Sequence, residues 1–90
     1  MRSGLRFSEA YGNPWSDVLH MLFNCEDAAG YAARLPLDHP PGRVWTYASG
    51  TSNIVSAIVR RTVGVSDYAK WPRRVLFEPL QMDSAVLEPD

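Results

Sequence analysis

The chain has one cysteine and one lysine among its ninety residues. Cys25 has no partner within the chain, which excludes a disulfide framework. Lys70 lies four residues after Ser66, so no serine is followed by lysine at the third position and Ser-x-x-Lys is absent. Gly-x-Ser-x-Gly is absent too, because position 47 ahead of Ser49 is tyrosine. Glycine-rich phosphate loops are missing. His20, Cys25 and His39 do not fall at zinc-ligand spacing, so no metal is expected. An excess of charge is also lacking. The formal net charge is −1, and the pairs Arg60-Arg61 and Arg73-Arg74 are offset by carboxylates, which disfavours nucleic acid as a partner. No apolar run approaches the roughly 20 residues that cross a bilayer. Met1-Arg2-Ser3-Gly4-Leu5-Arg6 has no apolar signal core, so the chain as written is expected in the cytoplasm unless a preceding segment carries an export signal.

What is present is ordinary for a globular domain or a piece of one: 46% hydrophobic and 21% charged residues. A chain of this length buries only about two-thirds of its unfolded surface and is marginal without help. Seven prolines and six glycines divide it. Met1 to Asn13 reads as a loop. Asn13-Pro14, with Ser16 as a second cap, opens a short amphipathic helix over Asp17 to Phe23, its apolar side formed by Val18, Leu19, Met21, Leu22 and Phe23. Ala28 to Leu35 is a second short helix that Pro36 ends. The proline-rich stretch from Pro36 to Thr46 must be extended and irregular.

The strongest helix runs from about Thr51 to Val63, with Ser52, Asn53, Ser56 and Arg60 in one sector and a wide apolar arc elsewhere. Gly64 terminates it. Such an arc wants neighbours on two sides. Ser66 or Asp67 can cap a further helix through Tyr68 and Trp71, Pro72 restarts it, and Arg73 to Phe77 continues. Pro79 to Met82 closes that element, and Ser84 to Leu87 is read as a short strand. Trp15, Trp45 and Trp71 are assigned to core and loop packing. His20 and Cys25 are read as structural and not as a base and nucleophile.

One segment stands apart: Pro40-Pro41-Gly42-Arg43-Val44-Trp45-Thr46-Tyr47-Ala48-Ser49-Gly50, which runs straight into the long helix. It places a tyrosine at a helix start with a hydroxyl two residues on. On the residues alone, such a tyrosine is more often structural, its ring buried and its hydroxyl satisfied.

The ordered set Pro41-Gly42, Tyr47-Ala48-Ser49, an Ile/Val-rich helix ending at Gly64, and Leu76-Phe77-Glu78-Pro79-Leu80-Gln81-Met82 resembles the serine β-lactamase-related hydrolases. That group includes class C β-lactamases, penicillin-binding-protein-like esterases and 6-aminohexanoate-dimer hydrolases. Ser3-Gly4-Leu5 is similar to the loop those proteins carry ahead of their second motif. The branch with Tyr-x-Ser-Gly-Thr-x-Asn is matched by Tyr47, Ser49, Gly50, Thr51 and Asn53. Two departures are visible. Ser49 replaces the commoner asparagine, which tilts the expected substrate from β-lactams toward esters or linear amides, and Gln81 replaces a glycine.

The resemblance implies a fold and a chemistry. The chain is expected to be mainly α, residues 1–90 forming the central helical part of the α/β β-lactamase/transpeptidase-like domain. Catalysis is implied to run through an acyl-enzyme on a serine of Ser-x-x-Lys, without a cofactor. Tyr47 would serve as general base or proton shuttle, and Ser49 would hydrogen-bond the substrate or the motif lysine. A free tyrosine titrates near 10, and a nearby cation favours its phenolate. The partner is an ester, an amide or a β-lactam-like small molecule taken by the full-length protein. The first motif and the Lys-Thr-Gly or His-x-Gly third motif are absent, and because the family carries a methionine or similar residue ahead of the Ser-Gly-Leu loop, well inside the protein, the resemblance implies that Met1 is an internal methionine. The isolated chain is expected to be inactive and to self-associate through exposed apolar surface. The competing readings are a stand-alone helical module that binds a protein and a pseudoenzyme remnant.

Overall fold

A computed structural model of the chain describes residues 1–88. It divides into two compact units, 1–57 and a second beginning at Ile58. Among the described residues there is no strand, only helices, turns and one isolated antiparallel bridge between Leu5 and Leu37.

In the first unit, α1 spans Asp17–Asn24 and α2 spans Ala28–Ala33. Asn13 Oδ1 accepts the Trp15 N–H at 3.0 Å and Asn13 O accepts the Ser16 N–H at 3.0 Å, which folds a turn before α1. The helix therefore starts after Ser16 and not at Pro14. Its apolar side is narrower than the sequence pattern suggests. Val18 and Met21 are buried against the α2 side, whereas Leu22 and Phe23 stand 54% and 78% exposed. One short neighbour covers one stripe, no more. Asp27 caps α2 by accepting the Gly30 N–H at 2.8 Å. The helix ends at Ala33, short of Leu35, because the Arg34 and Leu35 amides close a tighter last turn onto Tyr31 and Ala32.

The N-terminal segment pairs with the proline-rich stretch. Arg6 N donates to Pro36 O at 2.8 Å, Asp38 N to Gly4 O at 2.9 Å, Gly42 N to Arg2 O at 2.8 Å and Thr46 N to Met1 O at 3.0 Å. Prolines have no N–H, so the donors come from the residues between and after them. Gly4 is required twice over: its φ is +77°, and a Cβ there would lie 2.1 Å from His39 O.

Helix α3 covers Ser49–Val63, two residues earlier than its sequence pattern alone suggests. The first helical amides bond back to Ala48 O, and a side chain outside the helix satisfies Ser49 N–H (below). Gly50 is buried where α3 meets α2: an added Cβ would lie 2.6 Å from the Phe7 ring and 2.9 Å from Ala32 Cβ. The apolar arc of α3 is largely uncovered, with Val55 54% and Ile58 56% exposed. Trp15 and Trp45 are also exposed, so neither is a core residue. Both sit in turns or loops.

In the second unit, Gly64 stops α3 with φ +93°, its N–H on Arg60 O at 3.0 Å. It is also the cap position of α4, Val65–Tyr68. Ser66 and Asp67 therefore lie inside α4 and do not cap it. A π-helical turn spans Arg73–Phe77, with Glu78 N on Arg73 O at 2.9 Å. It closes in a Schellman arrangement: Met82 N bonds Phe77 O at 2.8 Å, Gln81 N bonds Glu78 O at 3.0 Å, and Gln81 has φ +55°. The expected strand over Ser84 to Leu87 is not formed. A turn occupies Asp83 and Ser84, and Arg73 Nη2 donates to Ala85 O at 2.9 Å.

Candidate functional site

The segment Tyr47 to Asn53 enters α3 from the proline-rich loop, and residues 1–9 hold it. Met1 grips the backbone on both sides of Tyr47: its carbonyl accepts Thr46 N–H at 3.0 Å, and its sulfur accepts Ala48 N–H at 3.4 Å. Ser3 Oγ meets Thr51 Oγ1 at 2.8 Å, so the Ser3-Gly4-Leu5 loop lies against the motif that follows it in space. Ala48 is buried and acts as the anchor between them.

Tyr47 itself is 56% exposed, and among the described residues nothing bonds its hydroxyl. The buried structural tyrosine that residue type alone would favour is not what this position holds. Ser49 is half-buried. Its N–H reaches Glu9 Oε2 at 3.0 Å and its hydroxyl donates to Glu9 Oε1. Asn53 closes the first turn by donating from Nδ2 to Ser49 O at 3.1 Å. Tyr47, Ser49, Thr51 and Asn53 are thus ordered by local helix geometry, with Ser3 and Glu9 added from the N-terminal segment. Chemically, the arrangement offers an accessible phenol, a hydroxyl with a fixed donor direction, and the N-terminal end of a helix already occupied by a carboxylate.

A second tyrosine contrasts with the first. Tyr31 donates to Asp17 Oδ1 at 2.6 Å, while Asp17 Oδ2 accepts Ser8 N–H at 2.8 Å. The hydrogen bond to Asp17, then burial, then the negative charge of Asp17 and of Cys25 push the Tyr31 hydroxyl up to about 12. That phenol is held protonated. His20 packs its ring against Tyr31, centroids 5.1 Å apart, and Cys25 is half-buried at the end of α1. Among the described residues, no group of three or more His, Cys, Asp or Glu side chains is placed to hold a metal. No helix among them is long and apolar enough to cross a membrane. In the second unit an open cavity of about 160 Å³, lined by Ala69, Pro72, Arg73, Phe77 and Ala85 among others, includes none of Tyr47, Ser49, Thr51 and Asn53.

Sequence reasoning missed Glu9. No local signal marks it, because it acts forty positions away from Ser49. A hint lies at Ala48, a residue unable to cap the helix that follows, which calls for an acceptor from elsewhere.

Among the described residues the fold is helical, and the segment Tyr47 to Asn53 joins a phenol and a hydroxyl at a helix start. The sequence model of the Beta-lactamase family matches residues 1–90. The chain therefore belongs to the Beta-lactamase family and is a helical segment of that fold. No curated protein and no solved structure matches it.

Proposed function

We propose that this chain is the second-motif segment of a serine hydrolase that cleaves esters or linear amides through an acyl-enzyme, with Tyr47 moving the proton. The nucleophile and its lysine lie in a Ser-x-x-Lys motif outside these residues. The observation that carries the reading is the exposed phenol of Tyr47, its backbone gripped from both sides by Met1. A group meant to exchange protons with a serine on another segment needs a held backbone and an open approach, and the contacts of Met1 and the exposure of Tyr47 support both. Ser49 in place of an amide side chain supports ester or linear amide substrates over β-lactams.

In the longer protein that carries Ser-x-x-Lys, Tyr47→Phe lowers kcat by about 10²- to 10⁴-fold with little change in KM. The present ninety residues alone are expected to give no turnover above background with a chromogenic ester or β-lactam. Saturable hydrolysis by the isolated chain that disappears in Tyr47→Phe overturns the division of labour. An unchanged kcat in the longer protein overturns the role of Tyr47. The exposed Val55 and Ile58 of α3 support self-association of the isolated chain. A concentration-independent monomer in sedimentation counts against that.

A further inference from the structure

Helix α3 begins after a residue that cannot cap it. Ala48 O accepts Thr51 N–H at 3.0 Å, but its methyl group caps no first-turn amide, and the Ser49 N–H, at the first helical position, has no acceptor within the helix. Glu9 supplies the acceptor. Its Oε2 takes Ser49 N–H at 3.0 Å, and its Oε1 takes both the Ser49 hydroxyl and the Tyr11 hydroxyl, the latter at 3.1 Å. The carboxylate is half-buried and lies at the positive end of the α3 dipole, where an anion is favoured.

The consequence falls on Ser49. A serine hydroxyl has one hydrogen and two lone pairs. With that hydrogen directed to Glu9, the oxygen can only accept from any other group that approaches. The amide of an asparagine would present a donor and an acceptor together, so serine with a fixed partner is the more selective choice. Resting on the hydrolase reading above, we propose that Glu9 is a positioning residue for the second motif: it locks Ser49 Oγ as an acceptor, so the site there receives a cationic ammonium or the N–H of an amide substrate, and not a carbonyl oxygen.

The test has two arms. In the ninety-residue chain, amide hydrogen exchange at Ser49 is followed by NMR in the wild type and in Glu9→Gln, which keeps shape and removes charge. Exchange faster on the order of tenfold at Ser49, with distant amides unmoved, is expected from exchanging a charged acceptor for a neutral one. Unchanged exchange overturns the contact. In the longer hydrolase, a cycle of Glu9→Gln, Ser49→Ala and the double variant is assayed on an ester and an amide of the same acyl group. Glu9→Gln is expected to lower kcat/KM about tenfold alone and to have a much smaller effect once Ser49 is alanine, where only the backbone contact at position 49 remains. A loss confined to the amide assigns the donor to the substrate N–H, and an equal loss on both assigns it to an ammonium. The same Glu9→Gln loss with and without Ser49 overturns the positioning role and leaves the hydrolase reading standing. No turnover in the wild-type hydrolase overturns that reading and the donor class at Ser49, while the exchange result still decides the contact.

Discussion

A single methyl group at Gly50 opposes two well-known tendencies. In most helices, glycine to alanine is stabilising by roughly 1 kcal/mol, because alanine orders less backbone and has the best helix propensity. Gly50 lies in the first turn of α3, and its φ is not in the positive range, so the backbone itself accepts alanine. The surroundings do not. The new Cβ would lie 2.6 and 2.7 Å from two carbons of the Phe7 ring and 2.9 Å from Ala32 Cβ. Carbon atoms in contact sit about 3.5–4.0 Å apart, so each contact is short by about 1 Å. The Phe7 ring can tilt, but Ala32 Cβ is rigidly attached to α2 and moves only with that helix. Overpacking of this kind costs about 1–3 kcal/mol, and the cost here lies at the upper end. After the propensity gain, Gly50→Ala is expected to destabilise by about 1–2 kcal/mol. For a chain of this size that lowers Tm by about 5–15 °C. Gly12→Ala is the control: nothing lies within 4 Å of its Cβ, and its stability should stay within about 0.5 kcal/mol of wild type. Thermal and urea unfolding of the three proteins decide the matter. A Gly50→Ala melt at or above that of the wild type refutes the close approach of α3 to α2 and, with it, the seat of the motif.

Three further outcomes are expected. Ser16 occupies the cap position of α1, yet its hydroxyl makes no cap bond and is buried without a partner. Ser16→Ala should therefore be neutral or stabilising by up to about 1 kcal/mol in urea unfolding, where loss of a working cap would cost about that much. Gln81 sits in the left-handed conformation that ends the π-helical turn, so Gln81→Gly relieves a strain of about 1 kcal/mol, partly offset by the freedom glycine gains when unfolded. A net gain of about 0.5 kcal/mol is expected, and a loss in unfolding experiments would contradict the turn geometry. Tyr31 has its hydroxyl raised from 10.0 to about 12, so its folded state favours the neutral phenol. Its contribution to stability is intact below pH 10 and lost as pH rises through 12. The urea midpoint of the wild type should fall more steeply than that of Tyr31→Phe between those values, and parallel curves would count against the Asp17 contact.

Several element ends were legible from local signals, although Asn13-Pro14 folded a turn instead of opening α1, and Ser66 and Asp67 fell inside α4 because Gly64 already caps it. Asp27 ahead of an alanine-rich run, Gly64 after an Ile/Val-rich one and Pro36 after Leu35 each punctuate the chain within a turn of the element they bound. Other errors arose where a contact from a distance decided the outcome. The start of α3 moved from Thr51 to Ser49 because Glu9 satisfies an amide that no neighbour in sequence can reach. The last segment gave no strand because a strand needs a partner, and Arg73 took one of its carbonyls instead. Burial of Leu22, Phe23, Trp15 and Trp45 was overestimated, since apolar character states what a side chain could bury and not whether a surface is there to receive it.

The same distinction separates the two residues of the motif. Tyr47 and Ser49 are visible in the sequence as residue types at a spacing, but their chemical character is set from elsewhere. Tyr31 shows what happens to a phenol given a carboxylate partner: Asp17 holds it protonated, which disqualifies it from taking a proton near neutral pH. Tyr47 has no such partner among the described residues, and its exposure leaves room for a cation to approach from outside the chain. Glu9, the carboxylate bonded to the motif, is spent on Ser49 and on the end of α3 and not on the phenol. Had Glu9 bonded Tyr47, the negative charge would have stabilised the protonated form, as Asp17 does for Tyr31. Directing that carboxylate to the hydroxyl two residues further on gives the first amide of α3 an acceptor, turns the Ser49 hydrogen toward Glu9, and leaves the Tyr47 phenol without a carboxylate partner among the described residues.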